Sequence, residues 1–420
     1  MGNGTVRVSS LAPYVVLLQG PVGPCFNHLG RFLEAKGYRV DRFAFHAGDR
    51  FFSSQNRRRF EGSLAAWERY FHHFLEQNTP DCIIYFGSER PVHRVARSLA
   101  KQHDVPVLSL EEGYIRPGFV TVERGGNNAN SPLAGCLPDE NFNRESVDRQ
   151  LQVAVNYRSF NRMGYYAILY YVIRTFFSSG QAKELYHRRF FPPAEVFCWL
   201  RNGYRKVFHG GADNPVIHRL LEHHPGQYFL VPLQVAADSN LQKAALGWDS
   251  LSLITSTIIS FARSAPKQCR LVFKVHPLER GHNRYEEEIK EIATQQGIAD
   301  RVELIDTGSM GMLTRHAAGM ITINSTSGLS AIHHGIPLLV VGRALYEHPE
   351  LAVCGAGKPD FDQFWHAHEQ DDVVAPVEFR HRYLDWIRYR ALIPGDFYQK
   401  EGIDRVCEGI YQKLVQMLNA

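Results

Sequence analysis

The chain alternates short apolar runs with segments in which apolar residues recur every three or four positions. Runs such as YVVLLQG, CIIYFGS and YFLVPLQ have the length and β-branched content of buried strands. Segments such as NHLGRFLEAKGY and VHRVARSLAKQH have the spacing of amphipathic helices. Strands that alternate with helices favour parallel sheets, so the pattern predicts an α/β protein.

The alternation forms two series, which are separated by a different kind of sequence at about residues 140–215. We therefore predict two Rossmann-like domains with a central cleft: residues 1–215, with a helical insert at about 145–210, and a nucleotide-binding domain at 216–378. Residues 379–420 contain candidate C-terminal helices. Whether these helices cross back to the first domain is left open by the sequence.

The insert contains a nearly continuous aromatic and apolar helix candidate at residues 161–179, followed by a segment rich in arginine and aromatic residues. Its uninterrupted apolar stretch is about ten residues, too short to span a bilayer. One interpretation is a helix that lies in the membrane interface; the other is an insert that packs on the sheet or lines the cleft. The interfacial interpretation places Tyr170, Tyr171, Phe176 and Phe177 at headgroup depth, and Arg188, Arg189, Arg201, Arg205 and Lys206 against anionic lipid.

Composition narrows the class of protein. The chain has 420 residues, 44% of them apolar, which is enough for two packed cores. A net charge of +4 without a concentrated basic patch argues against nucleic acid as a partner. The seven cysteines are scattered without CxxC spacing, which favours a reducing compartment. The N-terminal apolar run is too short for a secretory signal.

Two stretches of the first series carry candidate site residues. LLQGPVGPCFNHLGRFL reads as a strand, a turn with Gly20 and Gly23, and a helix whose positive end suits an anion; a purely structural turn is the alternative. Glu111 and Glu112 follow a short strand in SLEEGYIRPGF, which makes them candidate general acid/base groups. The same loop continues with uncharged hydrogen-bonding side chains that suit sugar hydroxyls: Asn127, Asn128, Asn130 and Ser131. The alternative is an ordinary solvated loop.

The second series offers another carboxylate, Asp238, just beyond the strand YFLVPLQ and four residues after Gln234. The alternative role is helix capping by Asp238 or Ser239. Two carboxyl groups facing each other across a cleft, one from each domain, would suit glycosyl transfer by double displacement.

Two further stretches suggest a phosphate site. LVFKVHP ends a strand with Lys274, His276 and Pro277, although a lone histidine there is often structural. In ITINSTSGLSAIHHG a strand ends and a helix begins at a turn rich in hydroxyls and backbone N–H groups. The alternative for this turn is an ordinary cap, yet its small polar residues exceed what a cap needs: Asn324, Ser325, Thr326, Ser327 and Gly328.

Taken in order, these motifs resemble those of the KpsS-type capsule polysaccharide biosynthesis proteins of Gram-negative bacteria, over most of residues 14–352. The resemblance implies a GT-B fold and a retaining β-Kdo transferase that uses CMP-β-Kdo, where Kdo is 3-deoxy-manno-oct-2-ulosonic acid. It also implies a phosphatidylglycerol acceptor at the cytoplasmic face of the inner membrane, where the enzyme would be peripheral and start the poly-Kdo linker of a capsule. Other capsule biosynthesis proteins are further expected partners.

The family's QxxxD-like motif falls on Gln234 and Asp238, which implies Asp238 as the nucleophile. Related chain-extending enzymes have Glu-Asp-Gly at the place of Glu111, Glu112 and Gly113, so the choice of acid/base between the two glutamates stays open. The His-Pro motif and the serine-rich turn resemble CMP-binding elements. We add Arg116 as a candidate for the Kdo carboxylate, which a guanidinium matches.

We expect neither a metal nor any other cofactor. CMP carries a single phosphate, which a helix N-terminus with Lys274 and His276 suits, and no DxD-like pair ends a strand. Two other functions are kept as alternatives: a GT-B-fold nucleotide-sugar epimerase that acts on UDP-sugars, and a non-catalytic adaptor in capsule assembly.

Overall fold

The structure is a computed structural model that describes residues 12–54, 57–139, 141–142, 155, 157–178, 184–185, 211, 213–235, 243–276, 285–370 and 373–419. The chain divides into two compact units. Unit 1 comprises Met1–Asn127, Arg149–Phe190 and Ala391–Ala420, and unit 2 comprises Asn128–Asp148 and Phe191–Arg390. Sequence analysis places one boundary near residue 215 and keeps residues 379–420 together. In the structure the chain leaves unit 1 after Asn127, returns to it for Arg149–Phe190 and returns again for Ala391–Ala420.

Unit 1 contains a seven-stranded sheet with the order β13-β6-β5-β4-β1-β2-β3. Its strands are β1 (Tyr14–Leu17), β2 (Arg39–Ala44), β3 (Arg57–Arg59), β4 (Cys82–Phe86), β5 (Val107–Glu112), β6 (Phe119–Arg124) and β13 (Leu392–Pro394). Strands β1 to β5 are parallel, as the alternating pattern predicts. Strand β6 is antiparallel to β5 because residues 113–118 are too short a connection for a crossover, and β13 is antiparallel to β6.

Helices cover both faces of this sheet because alternate strand residues point to opposite sides. Val15 and Leu17 pack on one face with residues of the helices Cys25–Ala35 and Lys400–Leu418. Val16 and Leu18 pack on the other face with residues of the helices Leu64–Gln77 and Pro91–Gln102. The helices of unit 1 are α1 (Cys25–Ala35), α2 (Ala47–Phe51), α3 (Leu64–Gln77), α4 (Pro91–Gln102), α5 (Phe160–Phe177) and α12 (Lys400–Leu418).

Unit 2 contains a six-stranded parallel sheet with the order β12-β11-β10-β7-β8-β9. Its strands are β7 (Tyr228–Pro232), β8 (Arg270–Lys274), β9 (Val302–Ile305), β10 (Gly319–Thr322), β11 (Leu338–Val340) and β12 (Val353–Cys354). This is the Rossmann order, in which the direction of strand addition reverses between the first and fourth strands, here β7 and β10. The predicted α/β class with two Rossmann-like units is confirmed.

The helices of unit 2 are α6 (Ser250–Ser264), α7 (Tyr285–Gln295), α8 (Met310–Arg315), α9 (Gly328–His334), α10 (Phe361–Phe364) and α11 (Val377–Ala391); residues 213–222 are also helical. Asp249 caps α6, because its carboxylate accepts a hydrogen bond of 2.7 Å from the N–H of Ser252. Residues 243–264 are the one described stretch long and apolar enough to cross a membrane. Leu253, Ile258 and Phe261 pack this stretch into the unit 2 core instead.

The predicted aromatic helix of the insert is present as α5. One part of the lipid-contact prediction is wrong, since Tyr170 is buried in unit 1, and Tyr171 is half-buried. Phe176 and Phe177 are exposed, as the interfacial interpretation requires. The predicted basic partners lie outside the described residues: Arg188, Arg189, Arg201, Arg205 and Lys206.

Candidate functional site

A pair of side-chain amides joins the two central strands of unit 2 where the strand order reverses. Gln234 follows β7 and Asn324 follows β10, and both side chains are buried. The amide of Gln234 donates to Asn324 Oδ1 over 2.9 Å, and Gln234 Oε1 accepts from the Asn324 backbone N–H over 3.1 Å. Open α/β sheets bind ligands at this edge, so the pair lies at the expected position of a site.

Asn128 brings a second predicted motif to the same edge. Its amide donates to the carbonyl of Asn324 over 3.0 Å, and its Oδ1 accepts from the N–H of Leu345 over 3.1 Å. The residue has a positive φ of 51°, a conformation that asparagine adopts more readily than most residues. The stretch NNANS is therefore partly a structural element of unit 2 rather than only a solvated loop.

Strand β8 contributes two more of the predicted residues. Lys274 ends β8 and is buried, and its carbonyl accepts a hydrogen bond of 2.9 Å from the N–H of Leu233. His276 lies two residues further on and is half-buried. The structure thus brings Gln234, Lys274, His276 and Asn324 to the carboxyl ends of three adjacent strands. Asp238 and Pro277 lie outside the described residues.

The serine-rich turn after β10 has a defined hydrogen-bond pattern. The hydroxyl of Ser327 donates to Ser325 Oγ over 2.8 Å, and Ser325 Oγ also accepts from the N–H of Ser327 over 3.2 Å. Ser327 occupies the N-cap position of α9 but makes no side-chain capping hydrogen bond, so the capping alternative does not explain its hydroxyl. The N–H groups of Gly328 and Leu329 bond to carbonyls within the turn. A bound anion would have to compete with these bonds, whereas both hydroxyls are half-buried and can reorient.

Tyr346, which sequence analysis does not identify, fixes this turn. Its hydroxyl donates to the carbonyl of Ser325 over 2.5 Å, and burial raises the pKa of Tyr346. A Cβ atom at Gly328 would lie 2.3 Å from the tyrosine ring, so the glycine is required by close packing. The segment GRALY contains no recognisable site pattern, and only the folded chain reveals this contact.

In unit 1 the loop after β1 is a closely packed turn, consistent with the structural alternative for its glycines. A Cβ at Gly20 would lie 2.4 Å from the ring of Phe26. Gly23 has φ +105°, and a Cβ there would lie 2.7 Å from the ring of Tyr166 in α5. The carbonyl of Gly20 accepts from Arg90, which follows β4.

A buried polar network lies beside this loop and was not predicted. The carboxylate of Asp49 accepts hydrogen bonds from the Tyr170 hydroxyl at 2.7 Å, the Gln19 amide at 3.0 Å and the Phe45 N–H at 3.0 Å. Nδ1 of His46 accepts from the Asp49 N–H at 3.4 Å, and its Nε2 lies 3.1 Å from the Tyr170 hydroxyl and 3.2 Å from the Gln19 amide nitrogen. The network holds α5 against the carboxyl edge of the unit 1 sheet.

The network and the buried His93, on which Asp49 acts only electrostatically, have perturbed acid–base properties. Burial lowers the pKa of His46 to about 4, and burial with the charge of Arg90 lowers the pKa of His93 to about 3. Burial acts to raise the pKa of Asp49, but His46 and the hydrogen bonds from Gln19 and Tyr170 outweigh it, so the pKa is lowered. At neutral pH the network therefore contains neutral histidine and ionised aspartate.

These shifts predict that acid destabilises unit 1. A histidine whose folded pKa is depressed binds more protons when unfolded, so stability is lost as pH falls through the unfolded value of about 6.5 toward the folded value. We expect the free energy of unfolding to fall by about 2 kcal/mol per histidine between pH 7 and pH 5. Urea unfolding of the full chain at both pH values measures this.

A histidine variant tests the assignment. In His46→Gln the loss between pH 7 and pH 5 should be about half that of the unaltered chain, because only His93 still contributes. His73→Gln is the matched control, since the His73 side chain is 66% exposed. An identical pH dependence in His46→Gln and the unaltered chain would show that His46 titrates normally.

Glu111 and Glu112 end β5 and point to opposite faces of the sheet. The hydroxyl of Tyr398 donates to Glu112 over 2.7 Å, and burial together with this carboxylate raises the pKa of Tyr398. Glu111 is half-buried and accepts from the N–H of Glu112. A role of either glutamate opposite Asp238 stays a prediction. Arg116 is exposed, and its Nε donates to the carbonyl of Gly113 over 3.0 Å.

One group of side chains in the described part of the chain has the spacing of metal ligands. Ligand atoms of His218, Glu222 and His223 lie within 4.8 Å of one another, and all three residues are exposed. The imidazole of His218 lies 2.9 Å from the carboxylate of Glu222, an ordinary contact between residues four positions apart on a helix. This group lies on the helical stretch 213–222 and its end.

Comparison with known proteins gives family-level matches. The family model described as "Capsule polysaccharide biosynthesis protein" matches residues 81–398. The chain is 34% identical to the Capsule polysaccharide export protein KpsS of Escherichia coli over 389 residues, which cover 90% of this chain and 96% of that protein. It is 30% identical to the Capsule polysaccharide modification protein LipB of Neisseria meningitidis serogroup B over 95% of this chain and 94% of that protein.

A solved structure is also similar. The Thermosulfurimonas dismutans structure titled "KpsC, beta Kdo 2,7 transferase" is 12% identical, with a TM-score of 0.41, covering 95% of this chain and 99% of that chain.

Proposed function

The chain belongs to the capsule polysaccharide biosynthesis protein family, and on that premise we propose that it is a retaining glycosyltransferase of the GT-B kind. The family predicted from the motifs is thereby confirmed. The proposed donor is CMP-β-Kdo, and the proposed acceptor is a phosphatidylglycerol lipid at the cytoplasmic face of the inner membrane. The product would start the poly-Kdo linker of a capsular polysaccharide.

One observation supports a donor site in unit 2 above the others. Gln234, the first residue of the QxxxD-like motif, is bonded to Asn324 of the serine-rich turn by two hydrogen bonds. The QxxxD-like motif and the serine-rich turn are therefore adjacent, at the edge where Rossmann-like sheets bind nucleotides. The family resemblance implies that both motifs act on the same sugar donor. Lys274 and His276 end the neighbouring strand and supply the positive charge and hydrogen bonds that a single phosphate needs.

The proposed reaction is a double displacement. The carboxylate of Asp238 attacks the anomeric carbon of Kdo while the bond to the CMP phosphate oxygen breaks, and CMP leaves with that electron pair. An acceptor hydroxyl then attacks the same carbon, its proton passes to Glu111 or Glu112, and Asp238 is released as a carboxylate. Two inversions give net retention, and neither step requires a metal.

The test is direct. The protein is incubated with CMP-Kdo and a fluorescent phosphatidylglycerol, and the lipid is analysed by mass spectrometry for the addition of one Kdo. Release of CMP without any lipid product would contradict the acceptor. Failure to consume CMP-Kdo, combined with conversion of a UDP-sugar, would favour the epimerase alternative.

The serine-rich turn predicts a change in donor binding. Ser325→Ala with Ser327→Ala removes the two hydroxyls that can turn toward a phosphate, so we expect the KM for CMP-Kdo and the Kd for CMP to rise about tenfold. Isothermal titration with CMP measures the effect. Ser330→Ala is the control. Ser330 lies within α9 and not in the turn, so this variant should bind CMP normally. Unchanged CMP binding in the double variant would remove the turn from the proposed site.

A further inference from the structure

Helix α5 is apolar on two opposite sides. Met163 and Tyr166 pack against the unit 1 core, and Tyr170 is buried on the same side. On the other side, large apolar side chains recur every three or four residues and are exposed: Tyr165 63%, Ile168 58%, Val172 37% and Phe176 66%. The solvent-facing side of a helix on a protein surface is normally polar. The apolar outer side of α5 therefore indicates that it contacts something apolar other than the unit 1 core.

Exposed apolar side chains are also present at the end of α5 and on the neighbouring helix α2. Phe177 at the end of α5 and Phe51 at the end of α2 are both more than half exposed. The two helices approach closely at Gly48, where a Cβ atom would lie 2.9 Å from the carbonyl oxygen of Tyr170. We define the α5 face as these exposed side chains together: Tyr165, Ile168, Val172, Phe176, Phe177 and Phe51.

Arginine side chains border one end of the α5 face. Arg50 donates to the carbonyl of Phe177 over 3.2 Å, and Arg57 donates to the carbonyl of Arg50 over 2.9 Å. Arg57 and Arg59 are exposed on the edge strand β3. Glu61 pairs with Arg50 at 2.8 Å, whereas α5 contains no acidic residue and carries the exposed Arg162; its other arginine, Arg174, is buried in unit 1 and does not reach the face. The border of the face is therefore positively charged.

We propose that the α5 face docks on an anionic lipid bilayer, with α5 lying in the interface. Aromatic and aliphatic side chains at the end of a helix suit the boundary between headgroups and acyl chains, and bordering guanidinium groups suit lipid phosphates. The charge border favours this occupant over a second copy of the chain, which would present the same positive charges. The inference rests on the lipid acceptor of the proposed function and identifies the surface that meets the membrane.

Vesicle binding of the full chain tests the proposal. Flotation is measured with vesicles of phosphatidylcholine and phosphatidylglycerol in a 3:1 ratio, and with phosphatidylcholine alone. We expect the mixed vesicles to bind about tenfold more tightly. Phe51→Ser, Phe176→Ser and Phe177→Ser together should weaken binding to mixed vesicles at least about tenfold. Arg57→Gln with Arg59→Gln should reduce the preference for phosphatidylglycerol.

Matched controls alter similarly exposed residues of unit 2. Met312→Ser with Tyr389→Ser removes exposed apolar side chains, and Lys267→Gln with Arg315→Gln removes exposed charges; neither pair should change vesicle binding. Normal vesicle binding by both α5-face variants would overturn the proposal. So would a light-scattering mass that falls from dimer to monomer in the phenylalanine variant while vesicle binding stays normal, because the face would then bind a second copy.

The membrane proposal and the proposed function fail separately. With a short-chain, water-soluble phosphatidylglycerol as acceptor, the α5-face variants should transfer Kdo as fast as the unaltered chain, since docking is then unnecessary. An unaltered chain that binds mixed vesicles through the α5 face but transfers no Kdo would refute the function and leave the docking face standing. Kdo transfer by an unaltered chain that does not bind vesicles would refute the docking face and leave the proposed function standing.

Discussion

Asp238→Asn is expected to lower Kdo transfer by about a thousandfold or more while CMP binding stays within about threefold. An amide is a far weaker nucleophile than a carboxylate, so the covalent Kdo adduct cannot form. The proposed phosphate groups belong to other segments of unit 2, Lys274 to His276 and Asn324 to Gly328. Intact-protein mass spectrometry after incubation with CMP-Kdo alone should detect an adduct in the unaltered chain and none in the variant.

The matched control for this prediction is Asp249→Asn. Asp249 lies nearby in the chain but serves as the cap of α6, a role that asparagine fills equally well. Its transfer rate should therefore match that of the unaltered chain. Parallel loss of CMP binding and adduct in Asp238→Asn would instead assign Asp238 a structural role.

Gln234→Leu is expected to lower transfer about a hundredfold and to destabilise unit 2 by about 2–4 kcal/mol. The side chain of Gln234 is 7% exposed, and its loss removes its two hydrogen bonds with the N–H and Oδ1 of the buried Asn324. The turn that begins at Asn324 would then shift, and the KM for CMP-Kdo should rise more than kcat falls. Steady-state kinetics and urea unfolding measure both consequences.

Thr257→Val is the control for the destabilisation. Thr257 is also buried in unit 2, and its hydroxyl donates to carbonyls of its own helix, at 2.7 Å and 3.1 Å. We expect a loss of less than about 1 kcal/mol and normal kinetics, because no strand-end loop depends on it. Equal kinetic damage in both variants would mean that activity merely follows stability.

The local sequence predicted most of the helices and parallel strands correctly. Continuous apolar runs such as YFLVPLQ and CIIYFGS have the length and composition of strands buried on both faces, so they could be assigned before any fold was known. Strands β6 and β13 were missed because their place at the antiparallel side of the sheet depends on pairing with β5 and with each other. Strand pairing is a long-range property that no short window contains.

The candidate site was predicted in its parts but not in its connections. Gln234 and the serine-rich turn were both identified, yet their bond joins residues 90 positions apart. Tyr346 and the Asp49 network gave no signal, since single buried polar residues look like any others in a strand–helix alternation. Tyr170 was misplaced because α5 is apolar on both sides, and periodicity cannot then tell which side faces the protein.

By itself, the sequence determined the α/β class, the order of the motifs and the family, because these depend on local composition and on residue spacing along the chain. Only the tertiary structure decided the Rossmann order of unit 2, the amide bridge between β7 and β10, and which aromatic residues of α5 are buried. Each of these features is a contact between segments that are distant in sequence. Such a contact stabilises the protein only after folding has brought the two segments together, at the entropic cost of closing the intervening chain.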